Sequence, residues 1–330
     1  MSHIIITGVA GFVGSNLAKK LLEENHTVTG LDNFSYGTKR NLNLFLHHPS
    51  FKFIECNLAD EDSLNKINGD VLVHLASQKI PRYSNALRTL DENSIMVKNV
   101  LKHCLANKTK LVFASTSDIY GKNPNIPYLE TSDIVLGPTT VKRWSYALSK
   151  IYSEQLIMAN NAEFGLEYCI MRFFGSYGPN QNTTWWGGPQ SVFIQNILEG
   201  KELEIHGDGL QTRTFTYIDD TVQGIMKCIF HPNSKNEIFN IANEPSEEIT
   251  IKGLADIIWK LMDSSGKDAP LVLIPYATFG NYEDVRRRVP NIDKIKTMLD
   301  FVPHYNLAEG LKVAIAWQKL VFAEKSNLKD

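Results

Sequence analysis

At 330 residues, with 43% hydrophobic and 21% charged residues, the chain has the make-up of a folded body of ordinary composition, which excludes a disordered or fibrous protein. A formal net charge of -2 and the lack of any Lys/Arg stripe leave no field for a polyanion, so nucleic acid is not an expected partner. The four cysteines, Cys56, Cys104, Cys169 and Cys228, are far apart and show no CxxC spacing, which argues against a disulfide framework and leaves no metal to be expected.

Met1 leads straight into Ile4-Ile5-Ile6 without a basic region, an apolar stretch or a cleavage site, and no later run is long and apolar enough for a bilayer. A cytoplasmic location without a membrane partner is therefore expected. Short β-branched runs at 3–7, 27–31, 51–55, 70–75, 110–115 and 166–172 predict strands, and helical spacing between them predicts helices near 12–24, 38–47, 61–66, 85–107 and 145–163. This alternation is the pattern of an α/β fold, a doubly wound parallel sheet wrapped by crossover helices. From 175 to 190 the composition turns to GSYGPNQNTTWWGGPQ, whose turn chemistry predicts a loop facing a substrate. Beyond it, the pattern predicts a helix near 190–199, strands at 203–206 and near 213–217, and helices near 219–230, 250–263 and 306–323.

Gly8-Val9-Ala10-Gly11-Phe12-Val13-Gly14 follows the first strand and opens the first helix, the context of a dinucleotide turn. Bare backbone there lets a pyrophosphate approach closely, and the helix N-terminus faces it. Asp32 ends the second strand, eighteen residues beyond Gly14, where a carboxylate accepts from ribose hydroxyls and repels a 2′-phosphate. NAD rather than NADP is the cofactor this implies, although Lys39 and Arg40 are near enough in sequence to reach a phosphate.

Tyr146 and Lys150, in Tyr146-Ala147-Leu148-Ser149-Lys150, share one helix face at i and i+4. A phenol ordinarily ionises near 10, so a neighbouring ammonium is the natural means of making it a base toward a substrate hydroxyl. The fifth strand ends in Ser115-Thr116-Ser117-Asp118-Ile119-Tyr120-Gly121 and brings hydroxyls to the edge of the sheet, where ligands of such folds bind.

With TGVAGFVG, LDNFSYG, HLASQK, STSDIYG, YALSK, RFFGSYGPN and GDGLQTRTFTYIDD in place, the chain resembles the NAD-dependent epimerase/dehydratase branch of the extended short-chain dehydrogenases over nearly its whole length. The resemblance implies a Rossmann-type sheet with a smaller C-terminal α/β substrate domain. Residues 1–175 with about 215–241 would hold NAD, and 176–214 with 242–330 would hold a nucleotide-sugar, most simply a UDP-sugar. It implies that Tyr146 takes the O4 proton, that Thr116 bonds the same oxygen, and that Lys150 lowers the Tyr146 pKa and holds the nicotinamide ribose, with Asp118 as a further catalytic candidate. The implied cofactor contacts are Gly8, Gly11, Phe12, Val13, Gly14, Asp32, Asn33, Asn57, Leu58, Leu75, Ala76, Ser77, Lys79, Asn93 and Phe173, besides Tyr146 and Lys150. His74-Leu75-Ala76 is the matching fourth-strand segment, and Asn93 matches a residue of the following helix that faces the site. Lys79, Arg143, Gly175, Trp185, Arg213 and Arg288 are the substrate candidates, Arg213 matching an arginine that binds the diphosphate. A homodimer through the helices near 85–107 and 145–163 is also implied.

C4 oxidation begins every reaction of that branch, and other residues set the fate of the keto sugar. Dehydratases usually carry Asp-Glu after the catalytic threonine where this chain has Ser117-Asp118, which disfavours 4,6-dehydration. STSDIYGKNPNIPYLETSDIVLGPTTVKRWSYALSK is most similar to the UDP-glucuronate decarboxylases, and YEDVRRRVP at 282–290 echoes their arginine motif at Arg288. Asp118, however, stands where they usually have the longer Glu. Gly175 replaces an asparagine of the RxFNxYGP pattern, and Trp185 and Trp186 follow it. A 4-epimerase, which needs nothing beyond the triad, is the first expectation; decarboxylation of a UDP-hexuronate is the second. A dehydrogenase releasing the 4-keto sugar follows, and a non-catalytic NAD(H) sensor comes last because Thr116, Tyr146 and Lys150 are all present.

Overall fold

The computed structural model describes residues 1–79, 85–263, 265–280 and 282–327. Its strands and helices run β1 (His3–Thr7), α1 (Phe12–Glu23), β2 (Thr27–Asp32), β3 (Phe51–Glu55), β4 (Val71–His74), α2 (Ala86–Asn107), β5 (Lys110–Thr116), α3 (Trp144–Phe164) and β6 (Tyr168–Phe173). There follow β7 (Ser176–Tyr177), α4 (Pro189–Leu198), β8 (Leu203–His206), β9 (Thr212–Thr214), β10 (Thr216–Tyr217), α5 (Ile218–Phe230), β11 (Glu237–Ile241), β12 (Glu248–Thr250), α6 (Ile251–Met262), β13 (Leu271–Ile274), β14 (Arg287–Arg288), α7 (Asp293–Leu299) and α8 (Leu307–Asn327).

Seven strands form one parallel sheet in the order β11-β6-β5-β4-β1-β2-β3. The chain reverses direction across the sheet between β1 and β4, and ligands of open α/β sheets bind at the carboxyl ends of strands at such a switch. Successive side chains of a strand point to opposite faces, so a strand covered on both faces reads as an unbroken apolar run. Ile4 and Ile6 accordingly join a core with Leu17, Leu21 and Ile225, while Ile5 joins the opposite core with Val97, Val100 and Ile157. Helices α2 and α3 pack together on that second face, and Asn85 caps α2 by accepting the Leu87 N–H at 2.9 Å.

Three expectations are corrected. Of the helix expected over 38–47, only Lys39–Leu42 forms, as a single 3₁₀ turn, and the Asn41 side chain ties it to the carbonyls of Ala10 (2.9 Å) and Asn180 (3.3 Å). The helix expected over 61–66 is a series of turns ending at Lys66 with φ +61°. The strand near 213–217 divides at Phe215: β9 pairs with β12 and β14, and β10 pairs with β7. Sequence patterning also missed β11 to β14 and α7, all five residues or shorter except α7, which has seven.

Candidate active site

The carboxyl ends of β1, β2, β4, β5 and β6 open into a cavity of about 880 Å³. Every residue singled out above for cofactor, substrate or catalysis lies on its wall, apart from Lys39, His74 and Asn93. Asn93 is buried and braces the loop behind the site instead: its carbonyl accepts the Gln78 N–H (2.8 Å) and its amide reaches Ser149 Oγ (3.0 Å). An amide in the middle of α2 can satisfy four bonds at once there, which a cavity-facing position would not offer. His74 is likewise enclosed, against Thr7 Oγ1 at 2.8 Å, and burial beside Lys150 pushes its pKa down to about 3.

The glycine turn is built for close approach. Gly8 has φ +77°, and a Cβ on Gly14 would sit 2.2 Å from the Gly8 carbonyl oxygen, so α1 meets β1 only through bare backbone. Asp32 accepts the N–H groups of Ala10 (2.9 Å) and Phe34 (2.7 Å), which holds its carboxylate at the end of β2 with lone pairs left for hydroxyls. Burial raises its pKa despite those donors. The cradle and this carboxylate fit a dinucleotide without a 2′-phosphate. Of the two nearby cations, Lys39 lies over the Phe34 ring and Arg40 pairs with Glu324 of α8 at 3.1 Å.

Thr116 ends β5, and the first turn of α3 sets Tyr146 on the same cavity wall, together with Ser77. Lys150 lies one turn deeper, donating to the Ala114 carbonyl at 2.8 Å, with its Nζ 5.9 Å from the Tyr146 ring. Lys150 is not among the groups that shift the Tyr146 phenol. Burial and the Asp118 charge raise the phenol above its ordinary value, with Ser77 and Thr116 pulling the other way. Burial also lowers Lys150 to about 7, offset in part by Glu154.

Beside this pair stands a charged cluster. Asp118 Oδ1 lies 2.6 Å from Arg288 Nη2 and 3.0 Å from Arg143 Nη2, and Asp284 Oδ1 lies 2.9 Å from Arg213 Nη2 and 3.8 Å from Arg143 Nη1. Burial works against the Asp118 carboxylate, but Arg288, Arg143 and Arg213 outweigh it and hold the group below the usual range. Three arginines face two aspartates, so the cluster carries a formal +1. Among the described residues, the buried Nε–H groups of Arg143 and Arg288 have no acceptor. Tyr282, which accepts from Arg143 Nη1 at 3.0 Å, and Asp284 belong to the site and were missed in the sequence. Their signal was the YEDVRRRVP stretch, read there for its arginine alone.

Gly175 adopts φ +48°, a left-handed conformation open to Gly and tolerated by Asn, with a Cβ there meeting the Thr214 carbonyl at 3.0 Å. The two tryptophans part company. Trp185 stacks on His206 (centroids 4.1 Å apart), whereas Trp186 leans on Tyr36 (4.6 Å) on the glycine-turn side.

A Rossmann-type sheet with a glycine turn, a ribose-facing carboxylate and a Tyr/Lys/Thr set over the same crevice defines a dinucleotide-dependent enzyme of the short-chain dehydrogenase type. Residues 4–242 match the model of the NAD dependent epimerase/dehydratase family, and the chain belongs to that family. It is 34% identical over 320 residues to a UDP-N-acetyl-alpha-D-glucosaminuronate decarboxylase of Bacillus cytotoxicus, covering 95% of this chain and 96% of that one. It is 32% identical over 327 residues to UDP-glucuronic acid decarboxylase 1 of Xenopus tropicalis, covering 98% of this chain and 74% of that one. Among solved structures, the UDP-glucuronic acid 4-epimerase of Bacillus cereus, in complex with UDP-glucuronic acid and NAD, superposes with a TM-score of 0.85 at 27% identity, covering 97% and 99% of the two chains. The protein is an NAD-dependent enzyme of this family. No described helix is long and apolar enough to cross a membrane.

Proposed function

We propose that this enzyme oxidises a UDP-hexuronate at C4 and removes its carboxyl group as carbon dioxide. The observation that carries the reading is the pair of guanidiniums, Arg143 and Arg288, converging on Asp118 Oδ1 on the wall that also holds Tyr146. A cluster with one cation to spare suits one additional anion, and a planar carboxylate matches guanidinium geometry. Asp118, for all its shorter arm, reaches both arginines. Support also comes from the two decarboxylases to which the chain is similar.

The chemistry follows from the groups present. Bound NAD supplies the acceptor for the C4 hydrogen and its donor on return. Gly8, Gly11, Phe12, Val13 and Gly14 would hold the pyrophosphate, and Asp32 the adenosine ribose, with Asn33, Asn57, Leu58, Leu75, Ala76, Ser77, Lys79 and Phe173 lining the path. Tyr146, on the cavity wall with Thr116 and Ser77, takes the O4 proton as the C4–H bond breaks. The resulting ketone lies β to the C5 carboxylate, so the C5–C6 bond breaks with its electron pair moving toward O4 and carbon dioxide departs. Thr116 and the now protonated Tyr146 stabilise the charge that grows on O4. A proton then enters at C5 and the C4 hydrogen is returned. Arg213 would hold the diphosphate, and Trp185 the face of a ring.

Epimerisation of the same substrate at C4 is the second reading. It is favoured by the state of Asp118, which two arginines keep as an anion and so leave without a proton to deliver to C5. We read residues 1–175 with about 215–241 as the NAD-binding domain and the remainder as the substrate domain. A homodimer through α2 and α3 fits the exposed Ile95, Leu148 and Tyr152 on those helices, and light scattering of the purified protein tests it. The functional test is incubation with UDP-glucuronate, UDP-N-acetylglucosaminuronate and their uncharged UDP-hexose counterparts, with products read by mass and NMR. Loss of carbon dioxide supports the proposal, an unchanged mass with inverted C4 selects epimerisation, and turnover confined to uncharged sugars overturns both.

A further inference from the structure

Residues 146, 150 and 154 lie one turn apart on the same face of α3. Tyr146 and Lys150 open toward the cavity, whereas Glu154 continues the row into the core, 3% exposed. Its carboxylate is gripped from two strands. Arg172 of β6 donates to it from Nε at 3.1 Å and from Nη2 at 2.7 Å, and the Ser115 hydroxyl of β5 donates to the same Oε1. Arg172 is fixed in turn by the Tyr120 hydroxyl at 3.0 Å and the Glu130 carbonyl at 2.8 Å. Lys150 anchors to Ala114, next to Ser115, so lysine and glutamate are pinned to consecutive residues of the strand that ends in Thr116.

We propose that Glu154 is a positioning residue for the oxidation step: its clamped carboxylate is the buried counter-charge that keeps Lys150 an ammonium beneath Tyr146, and Arg172 and Ser115 fix where that charge sits. The inference rests on the reading that Tyr146 and Lys150 carry out the C4 oxidation. The surroundings of Lys150 leave Glu154 as its acidic partner. On α3 it faces Tyr146 and Glu154; from β5 it meets the Ala114 carbonyl and the Phe113 ring, 4.7 Å away; from β4 it meets His74, a neutral imidazole; from β6 only Arg172, across the carboxylate. A deeply buried ammonium tends to lose its proton, and among the described residues Glu154 is the charge that opposes this for Lys150. A purely structural pair would alter stability and leave the titration of Lys150 alone.

The test combines Glu154→Gln, which keeps the shape and removes the charge, with NMR titration of ¹³C-lysine-labelled enzyme, the Lys150 signal being assigned by its absence in Lys150→Ala. Wild type is expected to titrate near neutrality and Glu154→Gln at least one pH unit lower. The basic limb of the kcat profile moves down with it, so that kcat at pH 7.5 falls about tenfold while KM stays within about twofold. If Glu154→Gln does not fold, Glu154→Asp carries the test, with a smaller displacement in the same direction. Equal Lys150 midpoints in wild type and a folded variant overturn the proposal. Because the titration needs no substrate, it stands even if no UDP-hexuronate is turned over, and that failure counts against the functional reading alone.

Discussion

Replacing Arg143 by methionine separates a carboxylate-reading site from a general anion hole. The side chain is 14% exposed and touches Asp118, Tyr282 and Asp284. Its loss takes the cluster from three cations against two anions to two against two, and leaves Asp118 with Arg288 as its partner at 2.6 Å. A hydrogen bond to a charged group contributes about 1.5–3 kcal/mol, and about 1.4 kcal/mol is tenfold, so kcat/KM for a UDP-hexuronate should fall by roughly 10- to 150-fold. Freed from one arginine, Asp118 also repels an incoming carboxylate. The matching UDP-hexose lacks that group and should lose no more than about threefold, within the range of a surface ion pair. Parallel measurement of kcat/KM, and of binding by calorimetry, for the charged and uncharged sugars gives the ratio directly. An equal loss for both would refute the carboxylate assignment, and so would no loss for either.

Three further outcomes follow from the geometry. Tyr146→Phe should leave the fold and NAD binding intact while lowering kcat by about 10²- to 10⁴-fold, as read by cofactor fluorescence and turnover. Gly14→Ala drives a methyl to 2.2 Å from a backbone oxygen, so the variant should lose at least about 1–3 kcal/mol in denaturant unfolding and purify with less NAD. Buried His74, held near 3 against an unfolded value of 6.5, must gain a proton on unfolding between those values. Its contribution therefore makes stability fall as pH drops from about 6.5 toward 3, and His74→Gln should flatten that slope in urea titrations at stepped pH.

Much of the fold was legible because β1, β2, β4, β5 and β6 are buried runs separated by helices with clear periodicity. What stayed hidden has physical reasons. Strands as short as Arg287–Arg288 or Thr216–Tyr217 hold no full period, and their pairing depends on partners far along the chain. Asn41 ties its short turn to Ala10 by a tertiary contact that local propensity does not register. In the site, spacing alone put Tyr146 and Lys150 on one face and Thr116 at a strand end. It could not show that burial dominates both titrations, since that depends on what α3 packs against. Nor could it bring Tyr282 and Asp284 to Arg143 and Arg213 from across the chain. Asn93 shows the limit of carrying a role over by position: the same helix offers Glu92 and Met96 to the cavity and turns the amide inward.

The claim on which the rest depends is that hydrogen leaves C4 inside this crevice and comes back to it. A UDP-hexuronate deuterated at C4, turned over in ordinary water and followed by NMR, tests it most directly. The account predicts product that keeps its deuterium at C4 and gains a solvent hydrogen at C5 as carbon dioxide is lost. Product with solvent hydrogen at C4 would contradict it.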